Sequence, residues 1–118
     1  MIGTHVIIDG AMENRLGSEA LVQLLNELPE KIDMHLLADP VVIRGVPENP
    51  GWTGFAIIDK SHIAVHTFDH SGLASIDIFS CKPFDTEGAL RYVIDLLGLS
   101  KVKWQVIRRS EAGDEEPL

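Results

Sequence analysis

The stretch DKSHIAVHT, residues 59–67, sets a hydroxyl and two imidazoles beside a lysine, ahead of the chain's single thiol at Cys81. A hydroxyl, an imidazole and a thiol are groups that can take part in nucleophilic and proton-transfer chemistry, so the stretch raises the question of whether the chain does chemistry on itself. His62, His66 and His70 recur every fourth residue, which on a helix would place them on one face. The residues between them, Ile63, Val65 and Thr67, favour a strand instead. Four strand residues cover about 13 Å, whereas zinc holds its ligands at about 2 Å. Neighbours in this series therefore cannot share one ion unless the chain folds back between them, and no metal is expected. Each residue alone also has a plainer reading: a turn hydroxyl, a sheet histidine, a buried cysteine.

The elements that must position these groups follow from periodicity. A strand over 62–68 puts His62, Ala64, His66 and Phe68 on one face, with Ile63, Val65 and Thr67 on the other. The run from 73 to 79, continued to Cys81, separates Ser75, Asp77, Phe79 and Cys81 from Ala74, Ile76 and Ile78. Register is not fixed by sequence, but a small polar cluster beneath a turn containing Ser61 is geometrically allowed. With FAIID (55–59) these runs predict an antiparallel meander. VPENPGWTG (46–54), broken by two prolines and two glycines, reads as a loop without the lysine-threonine ending of a phosphate-binding loop.

HVIID (5–9), ended by Gly10, reads as a first strand and KVKWQVI (101–107) as a last one. Leu21, Leu24, Leu25 and Leu28 trace a helix face, with Ser18 as N-cap and Pro29 as its end. Leu90, Val93, Ile94 and Leu97 trace another, with Asp85 as N-cap and Gly98 as C-cap. MHLLADPVVIRGV (34–46), split by Pro40, suggests a bent strand or strand pair. The order β-α-β-β-β-β-α-β, give or take one strand, predicts an α+β two-layer sandwich: one antiparallel sheet with two helices on one face.

The 118 residues suit one domain over 1–110, followed by an acidic flexible tail over 111–118. A net charge of −8 argues against nucleic acid or an anionic membrane as partner. No apolar run reaches the roughly 20 residues of a membrane span. The start shows no signal-peptide pattern and a lone cysteine cannot form an internal disulfide, so a cytoplasmic location is expected.

Taken together, residues 54–81, GFAIIDKSHIAVHTFDHSGLASIDIFSC, resemble the small prokaryotic S-adenosylmethionine decarboxylases. Ser61-His62, His66-Thr67, Asp77-Ile78-Phe79 and Cys81 fall at that family's spacing without gaps, and GTHVIID resembles its first strand. The resemblance implies a pyruvoyl-dependent carboxy-lyase acting on a small-molecule substrate, S-adenosylmethionine or an amino acid, and in the first case feeding spermidine synthesis. It implies self-cleavage between Lys60 and Ser61, with the serine converted to a covalent pyruvoyl group that would form a Schiff base with substrate. By the same resemblance His66 is the proton acceptor in processing, Thr53 assists processing, and Cys81 is the proton donor in decarboxylation. Phe68, His70 and Trp52 stand at or near substrate-binding positions, and a homodimer with sites near the subunit interface is implied. Two departures stand out. Lys60 replaces the family's usual glutamate, and Phe68-Asp69-His70 replaces its aromatic-Pro-Glu, whose glutamate holds the ribose. A pyruvoyl decarboxylase for arginine or ornithine, or an unprocessed binding paralogue, are the alternatives that these departures leave open.

Overall fold

Burial alternates along the central strands with period two, as one covered face of a sheet requires. In the computed structural model, which describes residues 2–110, six strands and two helices follow one another: β1 (Gly3–Met12), α1 (Ser18–Lys31), β2 (Val41–Arg44), β3 (Trp52–Ile58), β4 (Ser61–Phe68), β5 (Leu73–Ser80), α2 (Thr86–Leu97) and β6 (Leu99–Arg109). The strands form one antiparallel sheet in the order β2-β3-β4-β5-β1-β6. The expected α+β sandwich, with both helices on one face, is what the chain builds.

The core lies between sheet and helices. Val6 and Ile8 of β1, Ala56 and Ile58 of β3, Ile63 and Val65 of β4, and Ala74, Ile76 and Ile78 of β5 are buried against the leucine face of α1 and against Ala89, Val93 and Leu97 of α2. Full burial of one such side chain contributes about 1.5–3 kcal/mol. At Gly54 a Cβ would lie 2.8 Å from Leu25 Cδ1, so this glycine lets α1 settle closely on the sheet. Tyr92 donates a 2.7 Å hydrogen bond to Glu27 and ties α2 to α1.

The second helix has the caps its sequence predicts. The Asp85 carboxylate accepts from Gly88 N–H at 2.9 Å, and Gly98 is left-handed at φ 62°. The first helix departs from expectation at both ends. Gly17 is the N-cap and Ser18 is already helical, with no side-chain cap bond; the helix continues through Pro29 to Lys31. Proline stops a helix through a lost donor and a clash one turn back, yet here only the final half-turn follows it. Between 34 and 46 only β2 is a strand, and Leu36 makes an isolated bridge to Ile58. The expected loop ends early, because Trp52, Thr53 and Gly54 pair with Arg44, Ile43 and Val42 as the start of β3. The tail expected over 111–118 lies outside the described residues.

Candidate active site

The β3–β4 hairpin closes with Ile58 opposite Ser61, leaving Asp59 and Lys60 as its two-residue turn. Lys60 sits at φ 49°, in the left-handed region that a lysine occupies at a cost of about 1–2 kcal/mol. The Lys60–Ser61 peptide bond thus follows a strained residue at the sheet's end. Ser61 is only 6% exposed, on the face toward the helices. Its hydroxyl oxygen accepts the Cys81 backbone N–H at 2.9 Å. Cys81 lies just beyond β5, half-buried, and its thiol reaches the Asp59 carbonyl at 3.5 Å. Hydroxyl, the Lys60–Ser61 peptide and the thiol therefore converge around one turn, because the antiparallel register of β4 and β5 sets the start of one strand beside the end of the other.

His66 and Thr53 meet elsewhere. They are cross-strand partners on the outer face, the side away from the helices, and Thr53 Oγ1 lies 3.0 Å from His66 Nδ1. His66 is five residues along β4 from Ser61, about 16 Å of strand, and on the opposite face. Within the single chain the imidazole does not reach the serine.

Around His66 the far end of the sheet forms a cleft of about 230 Å³, lined by Gly45, Asn49, Trp52, Thr53, His66 and Phe68, among others. Trp52 N–H donates to Thr67 Oγ1 at 2.8 Å, and the Arg44 guanidinium lies 5.3 Å over the indole. Arg44 also pairs at 2.9 Å with Asp69, whose side chain is 2% exposed and whose Oδ1 has no hydrogen-bond partner among the described residues. Gly51 closes the loop at φ 150°, where a Cβ would overlap the Thr67 carbonyl oxygen. Of the sequence-predicted ligand contacts, Trp52 and Phe68 line this cleft; His70 lies exposed in the turn after β4 and is not among its lining residues.

The S-adenosylmethionine decarboxylase family model matches residues 4–110. The chain belongs to this family. An S-adenosylmethionine decarboxylase proenzyme of Prochlorococcus marinus is 34% identical over 83 residues, an alignment covering 69% of this chain and 66% of that protein. The chain thus spans just under two thirds of that relative. The proenzyme of Clostridium botulinum strain Loch Maree is 31% identical over 113 residues, covering 92% of this chain and 95% of its own length. The crystal structure of the adenosylmethionine decarboxylase from Aquifex aeolicus superposes with a TM-score of 0.76 at 23% identity, over 99% of this chain and 98% of that one, and shares the fold.

Within this family member, two groupings of side chains could not be foreseen from the motifs, although some of their members belong to them. On the outer face His5, His62, Phe55 and Phe79 form an aromatic cluster: His62 stacks on Phe55 at 5.6 Å, lies 6.4 Å from His5, and Arg109 covers Phe79 at 5.0 Å. His5 Nε2 is buried without a hydrogen-bond partner among the described residues. Burial first, then the neighbouring His5, pushes the His62 pKa below its ordinary 6.5, against the pull of Asp77. Gly-x-His at the chain's start was the sequence signal for His5, but only the β1–β5–β4 register sets it beside His62. The Arg44–Asp69 pair left no signal, because its partners are 25 residues apart and belong to no shared motif.

Proposed function

We propose that this chain is a pyruvoyl-dependent S-adenosylmethionine decarboxylase that generates its own prosthetic group by cleavage between Lys60 and Ser61. The observation that carries the reading is the convergence of Ser61 and Cys81 on a turn whose last residue, Lys60, is left-handed. The residues fit such a group: a hydroxyl amino acid at a strained peptide, held by a backbone N–H, with a thiol at the same turn.

In processing, Ser61 Oγ attacks the Lys60 carbonyl carbon. The Lys60–Ser61 C–N bond breaks, and an ester joins the Lys60 carbonyl to the serine oxygen. A base removes the Ser61 Cα proton, and the Lys60 carboxylate departs to become the new C-terminus. Water converts the resulting dehydroalanine to a pyruvoyl end, with release of ammonia. Lys60 takes part only through its carbonyl, so the change from glutamate leaves this path open.

The base assigned here is His66, held by Thr53. As it lies on the wrong face and about 16 Å along the strand within one chain, it must come from a second copy. The outer face supports a homodimer: Val41, Ile43, Phe55, Ile57 and Ile107 are all more than a third exposed on a sheet face that neither helix covers. Packing two such faces would carry one copy's outer-face imidazole to the other's sheet end.

A pyruvoyl ketone at residue 61 supplies an electron sink for loss of a carboxylate from an α-amino acid. Cys81 then stands to return a proton, with its thiol at the same turn. Trp52 and Phe68 offer aromatic faces for a nucleobase, and the cleft they line is ringed by polar groups. His70 stands at the family's ribose-holding position and offers ring nitrogens instead of a carboxylate. The test is CO2 release from carboxyl-labelled S-adenosylmethionine, arginine and ornithine in parallel. Release from S-adenosylmethionine alone is expected; release only from an amino acid, or from none, contradicts the assignment.

A further inference from the structure

One row of side chains crosses five strands of the outer face and holds two imidazoles. Ile57, His62, Phe79, His5 and Ile107 stand opposite one another in turn on β3, β4, β5, β1 and β6. The row contains no carboxylate. Aromatic neighbours close in on the half-buried His62: its ring stacks on Phe55 at 5.6 Å, lies 5.7 Å from Phe79 and meets His5 edge-on at 6.4 Å. Three charged or titratable groups face it from the neighbouring strands. They are His5 on β1, Asp77 on β5 and, on β6, Arg109, whose guanidinium lies 5.0 Å over Phe79. From β3 only Thr53, Phe55 and Ile57 share this face, and on its own strand the next imidazole is His66, four residues along. Burial first, then His5, favours the neutral His62 ring; Asp77 opposes this, and Arg109 adds to it.

Ile57 and Ile107, at the two ends of the row, are exposed, and so is Phe55 beside His62. They belong to the apolar face on which the proposed homodimer packs. A second copy seated there takes water away from His62 as well. Removing an imidazolium from water with no carboxylate in its own row is costly, whereas a neutral imidazole among aromatic rings is tolerated. We propose that the row of Ile57, His62, Phe79, His5 and Ile107 makes association through the outer face sensitive to pH: two copies pack with His62 neutral, and its protonation drives them apart. Each copy brings one His62, so a dimer separating in acid takes up as many as two protons at these sites. The regulated step is assembly, and processing follows it because the proposed base, His66, comes from the second copy.

This inference rests on the homodimer proposed above, and its test tells the two apart. The uncleaved Ser61→Ala chain is followed by sedimentation velocity over a range of concentrations at pH 7.5 and pH 5.5. Association is the readout, because a base such as His66 would itself fail in acid and slow cleavage without any change in assembly. The dissociation constant is expected to rise about tenfold or more between the two pH values, as protonation at two linked sites allows. Two further variants in the same background remove the charge in different ways. His62→Phe keeps an aromatic ring against Phe55, and His62→Gln keeps a polar group; each is expected to associate equally at both pH values. His5 and His66 remain in both, so a pH dependence that survives in these variants overturns the inference. Equal association of the parent at both pH values overturns it too, as does tighter association at pH 5.5, the sign of a partner's carboxylate seated on His62. A chain that stays single at pH 7.5 at every concentration removes the homodimer itself, and this inference with it.

Discussion

Lys60 concentrates the local chemistry in one backbone angle. At φ 49° its side chain crowds the adjacent carbonyl, the one that Ser61 must attack in the proposed scheme. Glycine pays no such penalty there. In a Ser61→Ala background, which keeps the chain whole, Lys60→Gly is expected to raise stability by about 1 kcal/mol in urea unfolding. With Ser61 present, the same change is expected to slow cleavage, since less strain is released. His62 makes a second claim at this scale. Its folded pKa lies below the ordinary 6.5, so between the two values the unfolded chain binds more protons. The stability this histidine contributes is complete above pH 6.5 and declines as pH falls through and below it. His62→Gln is expected to flatten that acid-side loss in thermal melts taken from pH 7.5 to 5.

At the scale of elements, the Arg44–Asp69 pair holds the β2–β3 connection against the end of β4. The link is reinforced by Asp69 N–H donating to the Pro50 carbonyl at 3.0 Å. Arg44 is half exposed, but Asp69 is buried, so removing the guanidinium strands a carboxylate. Arg44→Met is expected to cost about 1–3 kcal/mol, below the 3–5 kcal/mol of a fully buried pair, and to loosen Trp52 in the cleft, visible as a change in its fluorescence. Elements with strong periodicity were legible from sequence. The leucine stripe of α1, the alternation in β4 and β5, and the Asp85 and Gly98 caps each have a local physical cause. What misled was also local. Pro29 reads as a stop, yet a proline near a helix end loses little. Trp52–Gly54 reads as loop because of its glycines, yet Gly54 is there to admit Leu25. The Ser61–Cys81 meeting was foreshadowed by motif spacing. The separation of His66 from Ser61 was inherent in strand parity, since residues five apart face opposite ways, but it acquires meaning only once the helices cover one face. Pairings between distant strands, such as Asp9 with Ser75, depend on register and have no signature along the chain.

For the whole molecule, the central consequence of the proposed scheme is that processing would require two copies. His66→Ala and Ser61→Ala chains should each remain uncut when expressed alone. Co-expressed, they should form mixed dimers in which the chain with an intact serine meets the other's intact histidine. Cleavage of the His66→Ala chain only in the mixture is the expected outcome, read on a denaturing gel; its absence in every mixture would remove the shared site. The apolar outer face gives the same argument a second handle, because Ile57→Asp should weaken association and processing together.

The proposed function depends on whether the backbone is severed at Ser61. Intact-mass spectrometry of the purified protein under denaturing conditions tests that most directly. Two chains, residues 1–60 and 61–118, with the second blocked at its amino end by a pyruvoyl group, are the result this account requires. A single 13.0 kDa polypeptide would contradict it.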